Sequence, residues 1–226
     1  MTVNEKIDIA SYIDQSLLKG DATPAHIDEL CSVSIRYRFR TVFVNPVHVK
    51  RASTNLSGSQ IGIGSVVGFP LGASTVRVKV YEAETVENDG ASEIDMVMNV
   101  GAAKAGEFRL IEREIHAVKS ALGSSTLLKV ILECSLLDNA EKIGCAQIAA
   151  DSGADFVKTS TGTVGSATTQ DVELLFKTVG GQIGVKASGG IRDLRSALAM
   201  IEAGASRIGT SSGVPIIDEY HDSPSR

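Results

Sequence analysis

The sequence predicts a single-domain α/β protein, a (β/α)8 TIM barrel spanning residues 1–226. Short apolar, β-branched runs alternate with longer helical patterns along the whole chain, as buried parallel strands and their crossover helices do. Several helical patterns stop at a glycine that leads back into a strand-like run, the chemistry of an αβ turn. The length lies in the usual range for such a barrel. A doubly wound open sheet is the alternative arrangement of the same elements.

The elements follow in order. A short first strand is expected at Tyr12-Ile13-Asp14. Thr23-Pro24 reads as an N-cap followed by proline at the first helical position, opening a helix over 25–37. The clear strands are 41–44, 61–69, 93–99, 127–133, 155–160, 183–188 and 207–210, each short and rich in apolar or β-branched residues. Helices are expected over 73–89, 108–122, 139–152 and 193–203, ending near Gly90, Gly123, Gly153 and Gly204. No Pro/Gly/Ser-rich linker divides the chain, and the polar stretch 218–226 reads as a mobile tail.

Composition narrows the function. Hydrophobic residues are 43% and charged residues 22% of the chain, the proportions of an ordinary globular protein. No apolar run is long enough to cross a membrane, and Met1-Thr2-Val3-Asn4-Glu5-Lys6 lacks a basic stretch leading into an apolar core, so neither a membrane helix nor a signal peptide is expected. Cys31, Cys134 and Cys145 are odd in number and widely spaced, which points to free thiols in a reducing, cytoplasmic setting. A net charge of −5 and an aromatic content of 4% without tryptophan argue against nucleic-acid binding. No Cys-x-x-Cys pair or His-Glu-x-x-His helix offers a metal site.

Two lysines carry the chemistry. Lys158 lies in Asp155-Phe156-Val157-Lys158-Thr159-Ser160-Thr161-Gly162, and Lys186 lies in Ile183-Gly184-Val185-Lys186-Ala187-Ser188-Gly189-Gly190. Burial disfavours an ammonium ion, and two neighbouring ammonium ions disfavour each other, so such a lysine is set to be neutral near pH 7. A neutral lysine is the nucleophile of Schiff-base chemistry. Strand alternation places Asp95 on one face with Val97 and Asn99, and an inward Asp95 meets the two lysines. A buried lysine–aspartate pair without a catalytic role is the other reading of these residues. Ser188-Gly189-Gly190 and Gly209-Thr210-Ser211-Ser212 each lead from a late strand toward a helix, where barrels commonly hold phosphate. Lys104, Lys119 and Lys129 read as solvated, the four histidines as surface or packing residues, and Cys134 as a packed thiol.

The chain resembles the deoxyribose-phosphate aldolases, class I aldolases with a (β/α)8 barrel, over nearly its whole length. The resemblance runs through Ile13-Asp14-Gln15-Ser16, Val42-Phe43-Val44-Asn45-Pro46, Val67-Gly68-Phe69-Pro70-Leu71-Gly72, Glu93-Ile94-Asp95-Met96-Val97 and Lys129-Val130-Ile131-Leu132-Glu133. Its most specific parts are Lys158-Thr159-Ser160-Thr161-Gly162 together with Lys186-Ala187-Ser188-Gly189-Gly190. The resemblance implies reversible cleavage of 2-deoxy-D-ribose 5-phosphate to D-glyceraldehyde 3-phosphate and acetaldehyde without a metal or organic cofactor, in a homodimer or homotetramer. It implies Lys158 as the Schiff-base lysine, Lys186 as the lysine that lowers its pKa, and Asp95 as the proton-transfer carboxylate. It also implies phosphate binding by Ser188, Gly189, Gly190, Gly209, Ser211, Ser212 and Thr161, with Asp14 and Asn99 in support.

The sequence departs from the family pattern at Phe43, where many members have cysteine, at Gln15-Ser16, where His-Thr is common, and at Thr163, often lysine or aromatic. A tyrosine at the end of some members reaches the site, a role not assigned to Tyr220. The competing readings are another sugar-phosphate barrel lyase or isomerase, and a metabolite-binding barrel without catalysis.

Overall fold

A computed structural model describes residues 7–222. Eight parallel strands close into a barrel in sequence order: β1 (Ile13–Leu17), β2 (Thr41–Val44), β3 (Gly62–Val67), β4 (Glu93–Val97), β5 (Leu127–Ile131), β6 (Phe156–Lys158), β7 (Gly184–Ser188) and β8 (Arg207–Thr210). Closure is made by β8 pairing with β1, with Asp14 opposite Gly209. Around them run α1 (Pro24–Tyr37), α2 (Val49–Asn55), α3 (Val76–Asn88), α4 (Val100–Lys104), α5 (Phe108–Ala121), α6 (Asn139–Asp151), α7 (Thr169–Val179), α8 (Leu194–Glu202) and α9 (Gly213–Asp222).

Strand alternation divides the molecule into two interiors of opposite chemistry. Ile13, Val42, Val44, Ile94, Met96, Leu128, Val130, Val157, Val185 and Ile208 point outward into the apolar layer beneath the helices. Their neighbours Asp14, Thr41, Glu93, Asp95, Lys129, Lys158, Lys186 and Arg207 point inward and are also buried. Burial of the apolar layer stabilises the barrel by about 25 cal/mol per Å2 removed from water. It also holds the charged layer together, since the two alternate on the same strands.

Most expected elements lie within a few residues of their predicted bounds. β4, β5 and β6 are shorter than their apolar runs because each run continues past the barrel rim: Met98, Leu132 and Thr159 still donate to a neighbouring strand but lie beyond the closed ladder. Four helices were not foreseen. α2 and α4 are too short for their periodicity to speak, whereas α7 carries legible start and stop signals, an N-cap at Thr168 that accepts from the Asp171 N–H and a left-handed Gly180 at its end. The stretch read as a mobile tail is, over 218–222, the last part of α9, tied down by Tyr37 donating to Asp218 at 3.1 Å and Tyr220 donating to the Ile7 carbonyl at 2.8 Å. Residues 223–226 lie outside the described residues.

Two glycines make the inner layer possible. A β-carbon on Gly64 would lie 2.4 Å from the Phe43 ring, and one on Gly184 would lie 2.2 Å from the Phe156 ring. The side chain missing from one strand is replaced by an aromatic ring from its neighbour. Gly184 thus admits the Phe156 ring. Gly184→Ala is expected to lower stability by about 1–3 kcal/mol in urea denaturation, because the ring has no free space to enter. Gly20→Ala, whose β-carbon meets nothing within 4 Å, is the control and is expected to stay within about 0.5 kcal/mol of the parent protein.

Candidate active site

Asp95, in the middle of β4, is the hub of the inner layer. Its Oδ2 accepts hydrogen bonds from Lys158 Nζ and Lys186 Nζ, both at 2.8 Å. Its Oδ1 lies 3.4 Å from Lys129 Nζ. The register explains the meeting: Asp95 pairs with Lys129 across β4–β5, and Lys158 pairs with Lys186 across β6–β7. Below this hub, Lys129 also pairs with Glu93, and the Arg207 guanidinium pairs with Asp14 and, at 2.8 Å, with Glu93. Lys186 lies 2.6 Å from Asp14 Oδ2. All of these side chains are at most 6% exposed, so the network sits in a medium where charges interact strongly.

The network holds four cations, Lys129, Lys158, Lys186 and Arg207, against three carboxylates, Asp14, Glu93 and Asp95. The environments of the two candidate lysines differ accordingly. Lys186 has two carboxylates and the Phe43 ring centroid 3.6 Å away, a cation–π contact. Burial works against its charge, but Asp14 and Asp95 outweigh burial and hold its pKa above the ordinary lysine value. Lys158 has Asp95 alone, and shares that oxygen. Burial is the main cause of its shift; Asp95 opposes it, Lys186 and Lys129 add to it, and the pKa falls from 10.5 to about 8. Burial likewise raises the Asp95 carboxyl, but the surrounding lysines outweigh it and keep the group ionised.

Lys129 is a correction to the sequence reading. Read as solvated, it is fully buried between Glu93, Asp95 and the rings of Phe43 and Phe156 at 4.7 and 5.7 Å. The signal was available, because Lys129 occupies an inward position between Leu127 and Ile131, as Asp95 does between Glu93 and Val97. Glu93, in a family motif, and Arg207, in a predicted strand, had no role assigned, and they form the floor of the site. Asn99 does not join the inner face. It lies past the end of β4 and caps α4, its Oδ1 accepting from Ala102 N–H at 3.0 Å. Its own N–H donates to Glu114, whose carboxylate pairs at 2.6 Å with the buried Lys79, and Lys79 donates to the Val97 carbonyl. This second buried pair, unmarked in the sequence, finishes the end of the strand that carries Asp95.

The candidate phosphate residues divide into two groups. Gly189 and Gly190 adopt φ values of 103° and 75°, which glycine takes without strain. Their amides donate to no acceptor among the described residues. The loop after β6 packs against them, with Ala167 N–H donating to the Gly189 carbonyl at 2.9 Å and Gly162 Cα beside Gly189. Thr159 Oγ1 clasps β6 to β7 by donating to the Ser188 carbonyl and accepting from the Ser188 N–H, each at 3.0 Å. The other residues make contacts within the protein. Thr161 gives its N–H and hydroxyl to the buried Glu133, at 3.1 and 2.5 Å. Gly209 lies inside β8, where a β-carbon would meet Ser188 Oγ at 2.7 Å and Lys186 Cε at 3.0 Å, so it makes room for the lysine. Ser212 N–H is taken by Thr210 Oγ1 at 2.9 Å, and Ser211 is exposed at the mouth with its carbonyl accepting from Gln15.

The departures at Gln15 and Tyr220 are structural. Gln15 ties β1 to the start of α9 by accepting from Gly213 N–H at 2.9 Å, while Asp14 is held by Lys186 and Arg207. Tyr220 is bound to the Ile7 carbonyl. Cys134 is a packed thiol, pushed by burial up to about 12. Among the described residues no group of three or more His, Cys, Asp or Glu is arranged to hold a metal ion.

Residues 9–218 match the family described as DeoC/LacD family aldolase. The chain is 53% identical over 207 residues to the deoxyribose-phosphate aldolase of Brevibacillus brevis, covering 91% of this chain and 93% of that protein. It is 49% identical over 222 residues to the deoxyribose-phosphate aldolase of Methanothermobacter thermautotrophicus, covering 97% of this chain and 98% of that protein. The tetrameric deoxyribose phosphate aldolase of Aeropyrum pernix has the same fold, with a TM-score of 0.89 and 34% identity over 95% of this chain and 91% of that one. With the barrel, the paired lysines and these relatives in hand, the chain belongs to the DeoC/LacD aldolase family, among the deoxyribose-phosphate aldolases.

Proposed function

We propose that this aldolase, a carbon–carbon lyase, reversibly cleaves 2-deoxy-D-ribose 5-phosphate into D-glyceraldehyde 3-phosphate and acetaldehyde through a Schiff base on Lys158. The observation that carries this reading is the asymmetry of the two lysines on one carboxylate oxygen. Lys186 is locked as a cation by Asp14 and Asp95, whereas Lys158 is lowered to about 8. Loss of the Lys158 proton also leaves three cations facing three carboxylates, the balanced state for a buried network.

The chemistry follows from that asymmetry. Neutral Lys158 Nζ attacks C1 of the open-chain sugar, and the carbinolamine loses water to give a protonated imine. The imine draws the electron pair of the C2–C3 bond as the C3 hydroxyl gives up its proton to a base. Asp95, within reach of both lysines, acts in that transfer together with water. D-glyceraldehyde 3-phosphate leaves, the enamine is protonated at C2, and hydrolysis releases acetaldehyde and restores the amine. The phosphate lies at the amides of Gly189 and Gly190, beside Ser188 and near Ser211 and Ser212, in the loops where barrels hold phosphate. Thr161 shapes this loop through Glu133. The enzyme works in the catabolism of deoxyribonucleotides, in the cytoplasm, where its three buried cysteines stay as thiols. It assembles as a homo-oligomer, a reading supported by the tetramer of the Aeropyrum pernix relative.

Four outcomes test this reading. Borohydride trapping with acetaldehyde, followed by peptide mass mapping, is expected to place the adduct on Lys158; an adduct on Lys186 would reverse the two roles. Lys158→Ala is expected to abolish trapping and cleavage of 2-deoxyribose 5-phosphate while leaving the circular dichroism spectrum unchanged, because the remaining network is charge-balanced. The rate of imine formation is expected to rise with pH and level off above about 8, since only the neutral amine reacts. Below that value it falls about tenfold per pH unit. In Lys186→Leu the midpoint is expected to move to higher pH, because Lys158 is then needed as a counter-charge; an unmoved midpoint removes the electrostatic role of Lys186.

A further inference from the structure

The proposed mechanism uses Asp95, Lys158 and Lys186, and leaves the floor of the same chamber without a role. We infer that Lys129 is a positioning residue for this reaction: acting through Asp95, it supplies the cation that leaves the chamber with one positive charge more than its carboxylates can match, and so makes Lys158 the amine that gives up its proton. This rests on the reading of Lys158 as the nucleophile.

The argument is geometric. Lys129 Nζ bridges the two carboxylates of β4, pairing with Glu93 and lying 3.4 Å from Asp95 Oδ1. Lys158 and Lys186 occupy the opposite oxygen of the same Asp95 carboxylate, both at 2.8 Å. Lys129 is fully buried, with Phe43 and Phe156 rings beside it, so water does not screen it and its field reaches the other amines. The charged groups facing this space are Asp14 from β1, Glu93 and Asp95 from β4, Lys129 from β5, Lys158 from β6, Lys186 from β7 and Arg207 from β8. β2 and β3 contribute Thr41, Phe43 and Val66, which carry no charge. Glu133, at the rim above β5, is engaged by Thr161.

Of the four cations, one must yield. Arg207 does not release a proton in the physiological range. Lys186 and Lys129 each lie between two carboxylates. Lys158 has one carboxylate, shared with Lys186. Removing Lys129 turns four cations against three carboxylates into three against three, and Lys158 is then required as an ammonium ion. Removing the charge of Glu93 has the opposite effect, four against two, and favours the neutral amine further.

The test is the pH dependence of reductive trapping with acetaldehyde and cyanoborohydride, with the adduct at Lys158 quantified by peptide mass and folding checked by circular dichroism. In Lys129→Met the acid midpoint is expected to rise by about one unit, which lowers trapping near neutral pH about tenfold. In Glu93→Gln the midpoint is expected to fall, and in the double variant to return toward that of the parent protein. Lys129→Arg, which keeps the charge, is expected to leave it near the parent value. A purely structural role for Lys129 predicts lower stability in all four variants with no opposed shift. Folded Lys129→Met and Glu93→Gln with unmoved midpoints, or with midpoints moving the same way, overturn the inference. If Lys129→Met does not fold, the downward shift in Glu93→Gln and its reversal in the double variant decide. Parent protein with no adduct at Lys158 removes the nucleophile assignment as well, whereas an adduct there with unmoved midpoints overturns this inference alone.

Discussion

Asp95 is a fully buried carboxylate surrounded by three lysines, and the barrel is built so that this arrangement can exist. A lone buried charge is costly enough that it would be neutralised, a carboxylate by gaining a proton and an ammonium by losing one, or would drive water inside. Here each charge answers another across neighbouring strands, from Asp14 on β1 round to Arg207 on β8. The closed ladder sets those distances. A slip of one residue in the register would send Asp95 or Lys129 into the apolar layer under the helices and break the network. Removal of one partner from a buried ion pair costs about 3–5 kcal/mol, so the network constrains the register as firmly as the apolar layer does.

The same constraint produces reactivity. With four cations and three carboxylates the chamber cannot be neutral while every amine is protonated. Lys158 is the cation with the fewest counter-charges and its pKa is lowered to about 8, and on the proposed reading its amine is the nucleophile. Phe43 extends this logic: its ring lies against the Lys186 ammonium and stabilises the charged form of the neighbour. The rim then adds binding. Thr159 clasps β6 to β7, Glu133 holds Thr161, and the amides of Gly189 and Gly190 have no acceptor among the described residues.

Much of this was legible in the sequence, and the gaps have physical causes. The barrel, its eight strands and the identity of Lys158, Lys186 and Asp95 as a group could be read from alternation and from lysines set in apolar runs. Asn99 was placed on the inner face because a linear pattern does not mark where a strand leaves the barrel, and the contact of Gly209 with Lys186 was not legible because spacing does not mark which glycine lies beneath a neighbour's side chain. The hydrogen bonds of Thr161 to Glu133 and of the Ser212 N–H to Thr210 could not be read from the sequence, because the proximity of those partners depends on loop geometry. The last turns of α9 were hidden by their polarity, which is that of any helix face turned to solvent.

The sequence by itself determined the alternation of apolar and ionisable residues on each strand, because side-chain facing has a fixed period of two. It therefore determined that lysines and carboxylates enter a common interior if the strands close. Only the tertiary structure decided how those charges are apportioned. Whether Lys129 is solvated or sealed, whether Lys158 or Lys186 has the second carboxylate, and whether cations outnumber carboxylates depend on register and closure between strands distant in the chain. Coulomb energies in a buried chamber depend on those distances, and linear spacing contains none of them.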